Sequence, residues 1–259
     1  MLNLPVPLPA GPQSIEEQQK IADCLKSLDK LIAAHTAKLE ALQDHKKGLL
    51  QQLFPAEGKT VPELRFPDYT DDWKEENMQA VFTFRQGFQV EVDEQFLVQK
   101  KSTIRFIRII DVTQTTEPPR FVEITDNMHI LNKHDLFMIR YGTPGVISIG
   151  YEGVIANNLF QLTFKDKKYH YSYFWYYYIQ ARYNDINELT GSSSMPAISF
   201  KALNNLQTQY PLFPEQNKIA NIFIKLDELI NSSKSTLNIL TNHKEGLMQL
   251  FPNKKEASL

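Results

Sequence analysis

The chain has 259 residues, a formal net charge of −2 at pH 7 and a hydrophobic fraction of 42%. A chain of this length and composition forms one large globular domain or two small ones and is not intrinsically disordered. The near-neutral charge excludes a strong positive field over the whole molecule. Any binding to nucleic acid therefore has to use local patches or partner proteins.

Cysteine usage and hydropathy restrict the compartment. Cys24 is the only cysteine, which excludes an internal disulfide and a cysteine-based zinc site and is typical of a reducing environment. No apolar run reaches the ~20 residues that span a bilayer, and the N-terminus lacks the layout of a signal peptide. We therefore expect a cytoplasmic protein.

The first segment, 1–13, is too rich in proline to form a helix. Its Pro-Leu-Pro sequence resembles the segment Pro211–Pro214, which leads into the second of two long helices predicted below. We interpret 1–13 as the extended remnant of a preceding domain.

A long helix is predicted at 14–54 and again at 214–252, with an offset of 198 residues over most of its length. Both copies carry Lys-Ile-Ala, Leu-Asp and His-Lys at matching positions and end in Leu-Phe-Pro, which indicates an internal duplication. Apolar residues recur at alternating spacings of four and three, the pattern of a coiled-coil seam. The predicted helix-pairing residues are Ile21, Leu25, Leu28, Ile32, His35, Leu39 and Leu42 in the first copy, and Ile219, Phe223, Leu226, Ile230, Ser233, Leu237 and Leu240 in the second.

A helix with such a narrow apolar stripe is unstable alone, so the simplest partner of each copy is the other. Polar residues interrupt the seam, which is explained either by a seam fraying into solvent or by control of register. In an antiparallel pair with matched ends, Ile21 faces Phe251. We hypothesise that His35 and Ser233 then meet near the middle and satisfy each other.

Residues 55–72 contain three prolines and one glycine and are predicted to form a linker. The central domain, 73–213, alternates β-branched and aromatic runs with turn residues, and the tail is 253–259. The predicted fold class is α+β: a mixed β-sheet domain with packed helices, plus two long antiparallel coiled-coil helices. Strands are predicted at 103–110, 120–125, 136–141, 145–149 and 159–164.

The aromatic run at 169–183 is predicted to form a helix. Because its rings surround the helix axis, we expect it to pack on the sheet and not to serve as a base-stacking platform.

No catalytic motif is present: there is no methyltransferase signature, no Walker loop and no nuclease carboxylate motif, and the histidines lack zinc spacing. We expect no catalytic residue, no metal and no cofactor on this chain. Cations beside predicted strand ends, and a hydroxyl-rich loop whose backbone N–H groups suit a phosphate, are the candidate DNA contacts. These are Lys100, Lys101, Arg105, Arg108, Arg140, Tyr141, Thr143, Thr190, Gly191, Ser192, Ser193 and Ser194.

Four motifs together resemble one known family. They are Val61–Pro67 with Trp73, His134–Gly142, Leu189–Ser199, and the junction Tyr210–Ala220. In this arrangement the chain resembles the specificity subunits of type I restriction–modification systems, over essentially its whole length. It resembles a half-length form, with one target-recognition domain where a full subunit has two.

The resemblance implies a separate role for each subunit of the complex. The target-recognition domain would read half of a bipartite DNA target, and the long helices would space two such domains and dock the modification subunits. Those subunits would bind S-adenosylmethionine and methylate adenine, and a separate restriction subunit would use ATP, so this chain would not be an enzyme. With one complete domain, it is expected to form a homodimer on an inverted repeat. The alternative is a coiled-coil interaction scaffold that does not read DNA; a stand-alone DNA enzyme is disfavoured by the missing motifs.

Overall fold

The computed structural model describes residues 14–56, 58–114, 116–190 and 196–249. The predictions for 1–13 and 253–259 lie outside these residues. The elements are α1 (Ser14–Gln52), β1 (Lys74–Asn77), α2 (Met78–Val81), β2 (Phe82–Gln86), β3 (Thr103–Ile107), α3 (Ile109–Thr113), β4 (Arg120–Glu123), β5 (Leu136–Ile139), β6 (Ile147–Ser148), β7 (Val154–Ile155), β8 (Leu159–Phe164), α4 (Ser172–Ala181), α5 (Tyr183–Glu188), α6 (Phe200–Asn204), β9 (Gln207–Tyr210) and α7 (Phe213–Gln249). The predicted α+β fold class is confirmed. None of the helices within the described ranges is both long and apolar enough to cross a membrane.

The chain divides into two compact units, and the first holds the described residues of Met1–Lys47 and Lys225–Leu259. Two ion pairs join α1 to α7 here: Lys46 Nζ lies 2.6 Å from Asp227 Oδ1, and Lys244 Nζ lies 2.5 Å from Asp29 Oδ1. Moving from Asp29 to Lys46 advances seventeen residues along α1, and moving from Lys244 to Asp227 goes back seventeen along α7. The two helices therefore run antiparallel.

The predicted seam is the buried side of each helix. Between 15 and 47, the partly buried residues of α1 recur at the predicted spacings of four and three, and the others are exposed. On α7, Leu226, Ile230 and Ser233 are buried. The coiled-coil form of this pair stays a prediction.

The hypothesised contact between His35 and Ser233 is not found. The two ion pairs place His35 level with residue 238, which is five residues from Ser233. At 1.5 Å per residue, that offset is about 7.5 Å along the axis. The matched-end alignment itself agrees with the ion pairs to within one residue, since it places His35 opposite Leu237. The expected meeting of His35 with Ser233 was wrong because Ser233 lies about one turn away from that position in either alignment.

The described residues of the second unit, Gly48–Ile224, form three sheets. An antiparallel sheet has the order β2-β8-β5-β6, and β1 pairs with β9. In the third sheet, β3 pairs antiparallel with β4 and parallel with β7, so the sheet is mixed. Gly153 permits the close approach of β7 to β3, because a Cβ there would overlap the carbonyl oxygen of Arg105.

Several predicted elements are shorter in the structure. The strands predicted at 120–125, 136–141 and 145–149 are Arg120–Glu123, Leu136–Ile139 and Ile147–Ser148. The strand predicted at 103–110 ends at Ile107, because the backbone N–H of Arg108 donates to Asp111 Oδ2 at 2.8 Å and this bond holds the start of α3. The aromatic helix is shorter than predicted, Ser172–Ala181. Its rings pack inside the unit as expected, with Phe174, Trp175, Tyr177 and Tyr178 buried.

The predicted linker is attached to the start of α7. Arg65 forms a bidentate ion pair with Glu215, at 2.9 Å from each guanidinium nitrogen to its carboxylate oxygen. Just before the linker, the Phe54 ring packs against Phe174, Tyr178 and Phe223 at centroid distances of 5.6 to 5.8 Å. The end of α1 and the start of α7 are thus held in one core.

Candidate nucleic-acid interface

Arg140 follows β5, and its guanidinium packs on aromatic side chains of the domain. Its guanidinium carbon lies 4.5 Å from the centroid of Phe200, which packs on Phe160 at 5.0 Å. Arg140 Nη1 donates to Gln86 Oε1 at 2.5 Å and Nε donates to the carbonyl oxygen of Ile198 at 3.2 Å. These contacts fix the direction of the guanidinium, which is the condition for planar, bidentate recognition of a ligand.

Three further candidates converge on the same place. Isolated β-bridges pair Tyr141 with Ala197 and Thr190 with Ile198. Thr143 is exposed in the turn that follows Tyr141. The structure therefore brings Arg140, Tyr141, Thr143 and Thr190 together, whereas Gly191, Ser192, Ser193 and Ser194 lie outside the described residues.

The candidates near β3 do not form one group. Lys100 and Lys101 precede the strand, and the Lys100 ammonium lies 3.7 Å from the centroid of the Phe96 ring. Within the strand, the Arg105 guanidinium lies 5.4 Å from the Tyr151 ring, and its Nε is buried without a hydrogen-bond partner. These residues lie at the start and in the middle of β3, away from its C-terminal end.

Arg108, at that C-terminal end, is engaged by acidic neighbours. Its guanidinium lies 3.0 Å from Asp111 and 2.9 Å from Glu117. Burial disfavours its charge, but the hydrogen bonds to both carboxylates outweigh burial and raise the pKa of Arg108. The positive charge of Arg108 is balanced inside the domain, and its main structural role is to begin α3.

Amide side chains beside Arg140 were missed by the sequence reasoning. Gln86 Nε2 donates to the backbone oxygen of Asn157, and Asn157 Nδ2 donates to Gln89 Oε1. We call Gln86, Gln89 and Asn157 the amide cluster. No periodicity marks such residues, since they come from the end of β2 and from the turn between β7 and β8; the only local signal is the Asn157-Asn158 turn.

A second polar group lines a cavity of about 360 Å³ in the same unit. Tyr210 Oη donates to Glu76 Oε2 at 2.6 Å, and Lys74 lies 2.6 Å from the other carboxylate oxygen. Burial opposes the charge of Glu76, but these two hydrogen bonds outweigh it and lower its pKa, whereas burial and Glu76 raise the pKa of Tyr210. Burial lowers the pKa of His170, whose Nδ1 accepts a hydrogen bond from Trp175 at 3.3 Å.

Among the described residues, no three His, Cys, Asp or Glu side chains are placed to hold a metal ion. The side chains assembled around Arg140 are hydrogen-bond donors, acceptors and aromatic rings. Such groups can bind a polar ligand surface.

Comparison with known proteins identifies similar chains. The family model described as "Type I restriction modification DNA specificity domain" matches residues 70–242. The type I restriction enzyme MjaVIII specificity subunit of Methanocaldococcus jannaschii is 26% identical over 131 residues, which is 50% of this chain and 31% of that protein. The putative MjaX specificity subunit of the same organism is 24% identical over 261 residues, which is 96% of this chain and 58% of that protein.

Solved structures share the fold. The HsdS subunit from Thermoanaerobacter tengcongensis matches with a TM-score of 0.62 and 14% identity, over 96% of this chain and 60% of that one. The type I restriction–modification S subunit from M. genitalium matches with a TM-score of 0.64 and 19% identity, over 91% and 60%. The chain thus spans 60% or less of the length of each of these proteins.

Proposed function

The chain belongs to the type I restriction–modification DNA specificity domain family, and from this membership we propose that it is a sequence-specificity subunit that reads one half of a bipartite DNA target. The observation that carries the proposal is the family match over residues 70–242, which covers the central domain and most of α7. The central domain is the reader and performs no catalysis.

Arg140, Tyr141, Thr143 and Thr190 support DNA contact at the edge of the central domain. A guanidinium held on aromatic rings and hydroxyl groups beside it are the side chains that bind phosphates and base edges. Because the chain carries a net charge of only −2, partner subunits contribute much of the phosphate contact.

The long helices dock modification subunits in this proposal. Apolar side chains stay exposed on the helix pair, with Leu31 45% and Leu229 50% exposed, at repeat-equivalent positions. A groove lined by Leu28, Leu31 and Leu247 runs along the same unit. The modification subunits bind S-adenosylmethionine and methylate adenine, and a restriction subunit that uses ATP joins the same cytoplasmic complex. This chain binds neither cofactor.

A homodimer supplies the second reader. Glu215 and Gln216 at the start of α7 are buried in the central domain, whereas the equivalent Glu17 is exposed and Gln18 only partly buried. The start of α1 thus repeats residues that attach a helix to a recognition domain, which supports an assembly with two such domains. A two-fold pair of chains reads an inverted-repeat target, with half-sites about one helical turn apart.

The test is co-expression of the full chain with the neighbouring modification subunit, followed by genome-wide mapping of methylated adenines. We expect a bipartite motif that is methylated only when this chain is present. Methylation without any motif that depends on the chain contradicts the proposal. If the chain also shows no sequence-preferring DNA binding in the complex, the interaction scaffold is the better description.

A further inference from the structure

The amide cluster and Arg140 form one connected edge of the central domain. Gln86 ends β2, Arg140 follows β5, and Asn157 lies in the turn before β8. Both β2 and β5 pair with β8, so the three positions meet at the same end of one sheet. Gly87 makes this possible, because a Cβ at that position would overlap backbone atoms of the neighbouring strand end.

The side chains are linked in series. Arg140 donates to Gln86, Gln86 donates to the backbone of Asn157, and the Asn157 side chain donates to Gln89. Gln89 Nε2 in turn lies 3.4 Å from Glu91 Oε1. Each group holds the orientation of the next, which reduces the entropy lost when a ligand binds.

This series leaves hydrogen-bonding capacity unused. Arg140 has five N–H donors. Its Nε and Nη1 are engaged, whereas Nη2 and the Oδ1 of Asn157 have no partner among the described residues. Gln89 and Asn157 are exposed. An arginine fork and amide groups side by side at a solvent-facing edge match the purine edges of the major groove: guanine O6 and N7 accept from arginine, and adenine N6 and N7 pair with an amide.

We infer that Arg140 and the amide cluster are the base-reading site of this domain, and that the ligand is double-stranded DNA with a guanine and an adenine presented in the major groove. The inference rests on the proposed function and adds the residues that set the sequence preference. Arg140 reads the guanine, and Asn157 with Gln89 reads the adenine.

The exposed cationic side chains beside the site do not distinguish one DNA sequence from another. Arg85 precedes Gln86 on β2, and Lys201 follows Phe200 on α6; both are exposed and neither has a salt bridge among the described residues. They provide phosphate contacts, which bind all sequences alike. The site thus separates into groups that position the duplex and groups that read it.

The test uses the complex of the full chain with the co-expressed modification subunits and a library of DNA duplexes with a randomised window. Bound and methylated duplexes are sequenced for the wild type, Gln89→Ala, Asn157→Ala and Asn157→Asp. We expect each alanine variant to lose roughly 5- to 150-fold of the preference at one or two positions of the motif. Asn157→Asp should shift the preference at the same position towards cytosine, whose N4 donates to a carboxylate.

Two controls define the outcomes. Gln43→Ala removes an exposed amide from α1 and should leave every position of the motif unchanged. Arg85→Ala should weaken binding of all sequences about equally. If the Gln89 and Asn157 variants bind and methylate with the wild-type motif, the inference is wrong and the proposed function stands. If the wild-type complex selects no motif at all, both are wrong.

Discussion

At the scale of single residues, buried charge is tolerated where a second segment supplies its partner. Glu215 is 2% exposed, and Arg65 from the predicted linker satisfies both of its oxygens. The attraction between them and the desolvation of both largely offset each other, but removing one partner leaves the other uncompensated. Glu17, the equivalent of Glu215 in the first copy of the duplicated helix, is exposed.

Glu215→Ala and Glu17→Ala therefore make a matched pair. We expect Glu215→Ala to lower the free energy of unfolding by about 1–3 kcal/mol, because the part-buried Arg65 guanidinium loses its carboxylate partner and keeps only the hydrogen bond to the backbone oxygen of Asp71. Glu17→Ala should change it by less than about 0.5 kcal/mol. Urea unfolding followed by circular dichroism measures both, and equal effects would show that the linker contact contributes nothing.

His170 makes the stability of the central unit depend on pH. Burial lowers the pKa of His170 in the folded state; Glu76 and Asp166 oppose this with smaller effects, and Lys74 adds to it. As the pH falls below about 6.5, the unfolded chain takes up a proton on this histidine before the folded chain does. Stability is therefore full above that pH and declines as the pH drops towards the folded-state pKa.

His170→Gln should remove this part of the pH dependence. Between pH 8 and pH 5, the variant is expected to lose less free energy of unfolding than the wild type. His45→Gln, at an exposed position on α1, serves as the control and should follow the wild-type curve. A His170→Gln curve parallel to that of the wild type would refute the assignment.

At the scale of elements, the register of the two long helices depends on charge as well as on the apolar seam. A heptad-like seam permits several alignments that differ by one turn. The pairs Lys46–Asp227 and Asp29–Lys244 are satisfied together in only one of them.

Cysteine cross-linking tests this register. In a Cys24→Ser background, Lys46→Cys combined with Asp227→Cys should form a disulfide under mild oxidation, because the ion pair places these positions side by side. His35→Cys combined with Ser233→Cys should not, because the same register displaces them by about 7.5 Å. Non-reducing gel electrophoresis separates the two products, and the opposite result would show that the two helices pair in a different register.

The short polar strands β1 and β9 show that backbone pairing can form a strand where the local sequence has little preference for one. β1 reads Lys-Glu-Glu-Asn and β9 reads Gln-Thr-Gln-Tyr, neither of which has a strand pattern. They pair over all four residues, and Thr208 Oγ1 donates to the backbone oxygen of Glu76 at 2.7 Å. Backbone hydrogen bonding and burial by the rest of the domain select this conformation, so the sequence analysis did not predict either strand.

At the scale of the whole molecule, the exposed leucines of the helix pair should decide assembly. Leu31→Glu combined with Leu229→Glu places two charges on the apolar side chains that we propose to dock the modification subunits. We expect the wild type to co-purify with the co-expressed modification subunit and the variant not to, with the same helix content by circular dichroism. Leu97→Glu, which charges a leucine that is 56% exposed on the central domain, should still co-purify. Light scattering tests the homodimer separately, and there we expect the wild type to be a dimer. A wild type that is monomeric at high concentration, with or without the modification subunit, would contradict the homodimer.

The sequence by itself determined the duplicated helices, the position of the seam and the α+β class. Helix periodicity is local, and the residues that alternate at four and three, such as Ile32 and Leu39, carry the pattern wherever the helix lies. Four motifs along the chain were also sufficient to indicate the family. Only the tertiary structure decided which side chains meet across the helix pair and which residues make up the candidate site. Lys46 meets Asp227, and Gln86 meets Asn157 and Arg140, across separations that no local pattern spans, because strand pairing and helix packing join distant segments by contacts that depend on the whole fold.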